Sequence, residues 1–255
     1  MGRTSPTLAA APLQHWNPKG NWQKRLICQC VVQMSRGIMN VMNAVEFEGR
    51  EHWESAFQQG GRGILSFSNH VSLFDDPLLV SSLGRTGFDE VRWIGADHLN
   101  FYGSAVKGFI SSAGKCVPII RGGGLDQPGL SFLADRLKLG EWVHIFPEGG
   151  RTRDPGSKMR HPFKTGIGQL LAAAKPIAIP FYHYGMHEIL PIGRRFPKWG
   201  KKVRVMFGEH TLVTDDLLAA MTDPSDETDS ALWQTLASWS YDQLRCLEQV
   251  VHPTG

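Results

Sequence analysis

The 255-residue chain is 42% hydrophobic and 20% charged, and its net charge is +3. This composition is typical of a soluble globular protein and excludes a disordered chain, a collagen-like fibre or a coiled coil. It also argues against a transmembrane helix, because the longest uninterrupted apolar runs, residues 170–174 and 217–221, each contain five residues. A membrane span needs about 20.

The N-terminal region divides into two parts. Residues 1–19 contain basic but no acidic side chains, and they are interpreted as an N-terminal tail that is either disordered or a targeting signal. Residues 20–45 predict an amphipathic helix, because apolar residues recur every three or four positions from Trp22 to Val45. Lys24, Arg25 and Arg36 flank that stripe, so the helix either lies on a membrane surface or packs on its own domain.

After residue 45, short apolar runs alternate with helical patterns. Strands are predicted at 63–68, 91–95, 116–120, 142–146, 177–182 and 203–207, and helices at 50–59, 77–83, 102–113, 130–139, 165–174, 215–221 and 230–250. This alternation predicts a single α/β domain over residues 46–250, with a largely parallel mixed sheet flanked by helices. Ligands bind such sheets at the carboxyl ends of the strands.

The first predicted strand end carries a candidate catalytic pair. His70 follows the strand ending near Ser68, and Asp75 lies five residues further on, before Asp76 and Pro77. If the turn folds back, Asp75 can fix the tautomer of the imidazole and leave the other ring nitrogen as a base. Asp76 precedes a proline at the first turn of a helix and is interpreted as the helix cap. Two aspartates before a proline are also typical of capping alone.

Two further strand ends carry polar groups. Arg121 follows the strand at 116–120 and precedes three glycines, a combination that suits phosphate binding. Glu148 follows the strand at 142–146, where it can bind a hydroxyl or hold an arginine. A flexible loop with a surface arginine and a structural hydrogen bond from the glutamate are the alternatives.

These three segments, in this order, resemble the glycerolipid acyltransferase family. The matching residues are Asn69, His70, Asp75, Arg121 and the Phe-Pro-Glu-Gly sequence at 146–149. Residues 114–118, 140–149, 164–168 and 183–191 extend the similarity, which is closest to the mitochondrial phospholipid–lysophospholipid transacylases and covers roughly residues 20–210. The chain departs from the family in residues 150–161, which are richer in polar and basic side chains, and in the short loop after Arg121.

The resemblance implies acyl transfer to a lysophospholipid hydroxyl, with His70 as general base and Asp75 as the carboxylate that orients it. The substrate oxygen is the nucleophile, in keeping with the lack of a Gly-x-Ser-x-Gly sequence. The residues that the resemblance assigns to substrate binding are Asn69, Lys115, Arg121, Glu148 and Gly149.

The resemblance further implies that no cofactor and no metal is needed. Cys28, Cys30, Cys116 and Cys246 also lack zinc-site spacing. The implied partners are phospholipid and lysophospholipid substrates, cardiolipin among them, and a membrane surface; nucleic acid is not implied. The expected location is monotopic, on mitochondrial membranes.

Three functions are compatible with the sequence: a transacylase independent of coenzyme A, an acyl-CoA-dependent lysophospholipid acyltransferase, and a non-catalytic lipid-binding module. The oligomeric state is left open.

Overall fold

The computed structural model describes residues 14–84, 87–154, 156–194 and 196–252. The predicted tail therefore lies mostly outside the described residues. Residues 14–19, however, are packed on the domain rather than free. Trp16 meets Phe132 edge-on, with 5.0 Å between ring centroids, and the carbonyl of Asn17 accepts a hydrogen bond from Nζ of Lys24 (2.6 Å).

A mixed, mostly parallel sheet organises the chain and confirms the predicted α/β class. Within the described residues it has eight strands: β1 (Ala44–Glu48), β2 (Ile64–Ser68), β3 (Trp93–Asp97), β4 (Cys116–Ile119), β5 (Trp142–Ile145), β6 (Ile177–Tyr184), β7 (Lys202–Phe207) and β8 (Thr211–Leu212). Their order is β1-β7-β6-β2-β5-β3-β4, with β8 paired to β6. Strands β6 and β7 are antiparallel, whereas β2 is parallel to both of its neighbours.

Helices cover both faces of this sheet. They are α1 (Trp22–Asn40), α2 (Arg50–Gln58), α3 (Ser81–Leu83), α4 (His98–Phe101), α5 (Ala105–Ala113), α6 (Pro128–Lys138), α7 (Gly166–Ala174), α8 (Met186–Ile189), α9 (Asp215–Met221) and α10 (Asp229–Val251), with a π-helical turn at Asp75–Val80 and a 3-10 turn at Phe88–Glu90. One core contains Trp53 and Phe181. The other contains Leu133 and Leu236, so α10 contributes to the main body of the domain. Each large apolar side chain buried in this way stabilises the fold by roughly 1.5–3 kcal/mol.

The predicted helix over residues 20–45 is shorter than expected. It ends at Asn40, and Val45 lies in β1, which pairs with β7. Asn43 explains the ending, because its side-chain amide donates to the carbonyl of Ile38 (3.0 Å) while its side-chain oxygen accepts from the amide of Lys201 (3.0 Å). The side chain thus closes the helix and directs the chain into the sheet.

The apolar stripe of α1 is also divided between two environments. Cys28, Val32 and Met39 face the domain and are buried, whereas Trp22 and Met34 are 71% and 56% exposed. In the described part of the chain, no helix combines the length and the hydrophobicity that crossing a membrane requires.

Candidate active site

The ends of β2 and β5 place the first and third predicted segments side by side. The strands are parallel, with Phe67 opposite Ile145, so the residues that follow them meet at one edge of the sheet. There the ring of His70 stacks on Phe146, with 4.1 Å between centroids and 13° between planes. His70 therefore lies beside Phe146 because β2 and β5 run in parallel register and end at the same edge of the sheet.

His70 and Asp75 form the predicted pair. Nδ1 of His70 lies 2.9 Å from Oδ2 of Asp75, and the same oxygen accepts hydrogen bonds from the amides of Val71 (2.7 Å) and Ser72 (2.8 Å). Because Asp75 engages Nδ1, Nε2 is the nitrogen left for substrate, and His70 lines the adjacent cleft. Such an imidazole can accept a proton at Nε2 while the carboxylate stabilises the resulting charge.

Asp75 remains a carboxylate although it is completely buried. Burial alone would raise its pKa, but the nearby imidazoles of His183 and His70 and the backbone amide of Ser72 outweigh that effect and hold the pKa below its ordinary value. Hydrogen bonding to the charged form thus keeps the partner of His70 ionised.

Asp76 is not the helix cap that the sequence predicted. The π-helical turn begins at Asp75 with no capping side chain, and Asp76 forms a two-pronged ion pair with Arg92, whose Nε lies 2.7 Å from Oδ1. Arg92 is almost fully buried and also donates to the carbonyl of Gly114 (3.0 Å). Asp76 is therefore explained by the need of the buried Arg92 guanidinium for a negative partner, and not by helix capping.

Asn69 does not face the cleft, which corrects its predicted role in substrate binding. Its side chain is buried, donates to the carbonyl of His183 (2.9 Å) and accepts from the amide of the same residue (2.9 Å). The imidazole of His183 in turn approaches the carbonyl of Asn69 (3.0 Å) and lies 3.8 Å from Asp75. Asn69 therefore fixes the end of β2 against β6.

His183 is a residue that the sequence reasoning missed as part of the site. It is fully buried, and burial lowers its pKa even though Asp75 acts in the opposite direction. The signal available in the sequence was the family similarity at residues 183–191. In the structure β6 runs beside β2, with Phe181 opposite Ser68, so His183 lies beside the turn that holds His70.

Lys115 is likewise removed from the cleft. It is buried, and its Nζ donates to the carbonyl of Val91 (3.0 Å) and lies over the rings of Phe88 and Trp93 at 4.8 and 4.9 Å from their centroids. Burial lowers its pKa to about 8. These contacts give Lys115 a structural role and correct the substrate-binding prediction.

Glu148 holds backbone rather than facing the cleft. One carboxyl oxygen accepts from the amide of His70 (2.7 Å), and the other accepts from the amide of Arg160 (2.8 Å). Burial raises the pKa of Glu148 from 4.5 to about 7, although both of these hydrogen bonds act in the opposite direction. The predicted direct contact with substrate is corrected to a bridge between His70 and the segment that follows β5.

Arg121 and Gly149 do line the cleft. Arg121 has a side chain that is 61% exposed, with Nε 2.8 Å from the carboxylate of Asp97, so its guanidinium keeps donors for an anion. Gly149 has φ +68°, and a Cβ there would lie 3.0 Å from Cγ of Lys164. Both the backbone conformation and the close side chain favour glycine at this position.

The cleft has a volume of about 1640 Å³ and is lined by two chemically distinct groups of side chains. Besides Arg121, one group consists of cations from the segment after β5: Arg151, Arg153, Lys158, Arg160 and Lys164. The other consists of apolar side chains from α1, β3, α5, β4 and α6, among them Ile27, Val31, Ile94, Ile110, Ile119 and Leu133. His70 lines the same cleft, which suits a ligand with an anionic group and a hydrocarbon chain. Among the described residues, no group of three or more His, Cys, Asp or Glu side chains is arranged to hold a metal ion.

Comparison with known sequences identifies relatives over most of the chain. A family model described as "Acyltransferase" matches residues 44–184, more than half of the sequence. A tafazzin from Drosophila melanogaster is 28% identical over 212 residues, which is 79% of this chain and 55% of the relative. An N-acylphosphatidylethanolamine synthase from Arabidopsis thaliana is 30% identical over 203 residues, 74% of this chain and 71% of that protein. The chain thus spans about half the length of the Drosophila tafazzin.

Comparison of folds agrees with the sequence relationship. The 1-acyl-sn-glycerophosphate acyltransferase PlsC from Thermotoga maritima superposes with a TM-score of 0.55 at 20% identity, covering 87% of this chain and 80% of the other. At that identity the similarity shows the fold alone. The family match and the length of the aligned relatives together establish that the chain belongs to the acyltransferase family.

Proposed function

We propose that this protein transfers a fatty acyl chain from a phospholipid to the free hydroxyl of a lysophospholipid. The observation that carries the proposal is the His70–Asp75 pair, whose histidine lines a cleft that cations and apolar side chains line as well. The similarity to a tafazzin supports the choice of membrane lipids as substrates. Cardiolipin as one of the lipids remodelled, and mitochondrial membranes as the location, are part of the proposal and follow from the sequence resemblance.

In the proposed reaction, Nε2 of His70 accepts the proton of the acceptor hydroxyl as its oxygen attacks the ester carbonyl of the donor lipid. A new ester bond forms, the old C–O bond breaks, and the departing lysophospholipid oxygen takes the proton back from His70. Asp75 stabilises the imidazolium between these two transfers. General base catalysis of this kind contributes about 10²–10⁴-fold to the rate.

The cations that line the cleft are proposed to bind the lipid phosphates. Arg121 offers a planar fork of donors, which suits two oxygens of one phosphate. The five cations after β5 supply further positive charge in the same cleft. The apolar side chains of the lining, Ile27 and Val31 of α1 among them, are proposed to receive the acyl chain.

We further propose that a membrane surface covers the mouth of the cleft. Leu73, Phe101, Ile110 and Ile192 line the cleft and are also exposed at the protein surface. The exposed stripe of α1 extends this apolar area away from the cleft. A lipid can then enter from the bilayer without transferring its chains through water, which would cost about 0.8 kcal/mol per methylene.

The proposed function is tested with purified protein, a phospholipid labelled in its acyl chain, and an unlabelled lysophospholipid, with and without coenzyme A. We expect label to move to the lysophospholipid without coenzyme A, and His70→Ala to reduce that transfer at least 100-fold. His210→Ala is the matched control, because His210 bonds to Ser55 of α2 rather than to the site. Transfer seen only from acyl-CoA would replace the transacylase by an acyl-CoA-dependent enzyme, and lipid binding without any transfer would leave a binding module.

A further inference from the structure

The segment that carries the cations of the cleft is fixed to the His70 turn at two points. This segment, residues 149–164, is called the basic loop here. The amide of Thr152 donates to the carbonyl of His70 (2.8 Å), and the amide of Arg160 donates to Glu148, which also binds the amide of His70. The basic loop is therefore hydrogen-bonded to the backbone of His70, directly through Thr152 and by way of Glu148 from Arg160.

The opposite side of the basic loop is held by α10. Oε1 of Glu248 accepts a hydrogen bond from the amide of Met159 (2.7 Å). The ring of Tyr241 packs against His161, at 4.5 Å between centroids, and edge-on against Phe163, at 5.1 Å. Tyr241 and Glu248 lie about two turns apart on one helix, and both contact the loop beside its cations.

A buried tyrosine supports the same attachment. The hydroxyl of Tyr182 donates to the carbonyl of Ser157 (3.3 Å), and burial together with the carboxylates of Glu248 and Glu148 raises the pKa of Tyr182, so the hydroxyl keeps its proton. Ser157 adopts φ +61°, a conformation that non-glycine residues rarely occupy. The surrounding contacts must hold the loop in that conformation.

Helix α10 is a rigid support for these contacts. Leu236, Ala237 and Leu244 are buried in the core. A Cβ on Gly168 of α7 would lie 2.0 Å from the carbonyl oxygen of Trp233, so the two helices touch along their backbones. The acyltransferase family model ends at residue 184, which leaves this support outside the matched region.

We propose that Glu248 and Tyr241 are positioning residues for acyl transfer, which hold the basic loop in the shape that binds the lipid phosphate. The inference rests on the proposed function and adds to it a dependence of headgroup affinity on the C-terminal helix. Because Glu248 and Tyr241 contact the loop and not the reacting atoms, their loss should weaken substrate binding more than it slows the chemical step.

The test compares Glu248→Ala, Glu248→Gln and Tyr241→Leu, with Asp242→Ala as control because Asp242 is an exposed acid on the same helix. We expect Glu248→Ala and Tyr241→Leu to raise KM for the lysophospholipid about 5- to 10-fold, the effect of one lost hydrogen bond or ring contact, with kcat within about 2-fold. Glu248→Gln keeps an oxygen acceptor and should restore KM to within about 2-fold of the wild type.

A second measurement does not depend on activity. Hydrogen exchange of the lipid-free proteins should be faster in residues 156–164 of Glu248→Ala and Tyr241→Leu than in the wild type, Glu248→Gln or Asp242→Ala. Unchanged exchange, an unchanged KM, or an equal effect of Asp242→Ala would overturn the positioning role. If the wild type transfers no acyl chain, the proposed function fails, and the exchange data still decide whether α10 holds the loop.

Discussion

The adjacent residues Asp75 and Asp76 should separate catalysis from stability when each is replaced by asparagine. Oδ2 of Asp75 receives three N–H donors, from His70, Val71 and Ser72, and a neutral amide oxygen can still occupy that place. The variant Asp75→Asn should therefore fold, but it no longer stabilises a positive charge on His70. Its turnover should fall at least 100-fold, at the lower end of what a general base contributes.

The effect of Asp76→Asn should be on unfolding. It leaves the guanidinium of Arg92, which is 3% exposed, without a negative partner, and breaking a buried ion pair costs about 3–5 kcal/mol. The asparagine oxygen retains one hydrogen bond, so we expect about 3 kcal/mol. In a chain of this size that lowers Tm by about 6–12 °C.

The assay is a melting curve followed by circular dichroism, together with acyl transfer measured at least 10 °C below the lower midpoint. The expected pattern is a near-normal rate for Asp76→Asn and a lost rate for Asp75→Asn. If Asp75→Asn kept more than a tenth of wild-type turnover, or if Asp76→Asn lost turnover while its Tm was unchanged, the assignment of the two aspartates would be refuted.

Three further predictions concern the cleft, the bridge behind His70 and the outer surface. Arg121→Ala should raise KM for the lysophospholipid about 10-fold or more while Tm stays nearly constant, because the Arg121 side chain is 61% exposed and Asp97 keeps its hydrogen bonds from the amides of Leu99 and Asn100. Arg121→Lys should recover only part of the affinity, and an unchanged KM for the lysine variant would count against a planar phosphate contact. The raised pKa of Glu148, about 7, means that its contribution to stability is complete below pH 4.5 and is lost as pH rises through 7. The Tm of Glu148→Gln should therefore improve relative to wild type between pH 5 and pH 8, and a difference moving the other way would contradict the assigned shift. Glutamates at Leu26 and Met34, both more than half exposed, should release the folded protein from anionic vesicles in flotation, and unaltered binding would exclude α1 as the anchor.

Much of the fold could be predicted from the sequence because the inner strands are short segments rich in apolar residues. Strand β2 has every residue buried, so its pattern is unambiguous. Strand β1 was missed because its residues alternate between exposed and half-buried at the edge of the sheet, and Val45 continued the period of the preceding helix. Strand β8 has two residues, too few for any periodicity.

The candidate site was predictable only in its local part. The spacing of His70 and Asp75 within one turn, the position of Arg121 at a strand end and the family resemblance at Gly149 predicted residues that the structure places at or beside the cleft. The type of a residue does not determine the direction of its side chain. Glu148 was therefore predicted to bind substrate, whereas in the structure its carboxylate accepts hydrogen bonds from two backbone amides. Contacts between distant residues, such as that of Glu248 with Met159, leave no pattern in the sequence.

The pairing of Asn69 with His183 limits which residues can occupy position 69. The amide group of Asn69 presents one donor and one acceptor to β6, as a peptide unit of a strand would. The side-chain amide of Asn69 acts like a peptide group and extends the hydrogen-bond ladder between β2 and β6 by one residue. The position of His70 is therefore fixed by the sheet. Aspartate at position 69 would place a carboxylate oxygen against the carbonyl oxygen of His183, where the asparagine has its N–H donor. The side chain of glutamine is one methylene too long to make the same two hydrogen bonds. The asparagine before His70 is therefore dictated by the geometry of the sheet, and we expect a substitution there to displace the imidazole of His70 without contacting the ligand of the cleft.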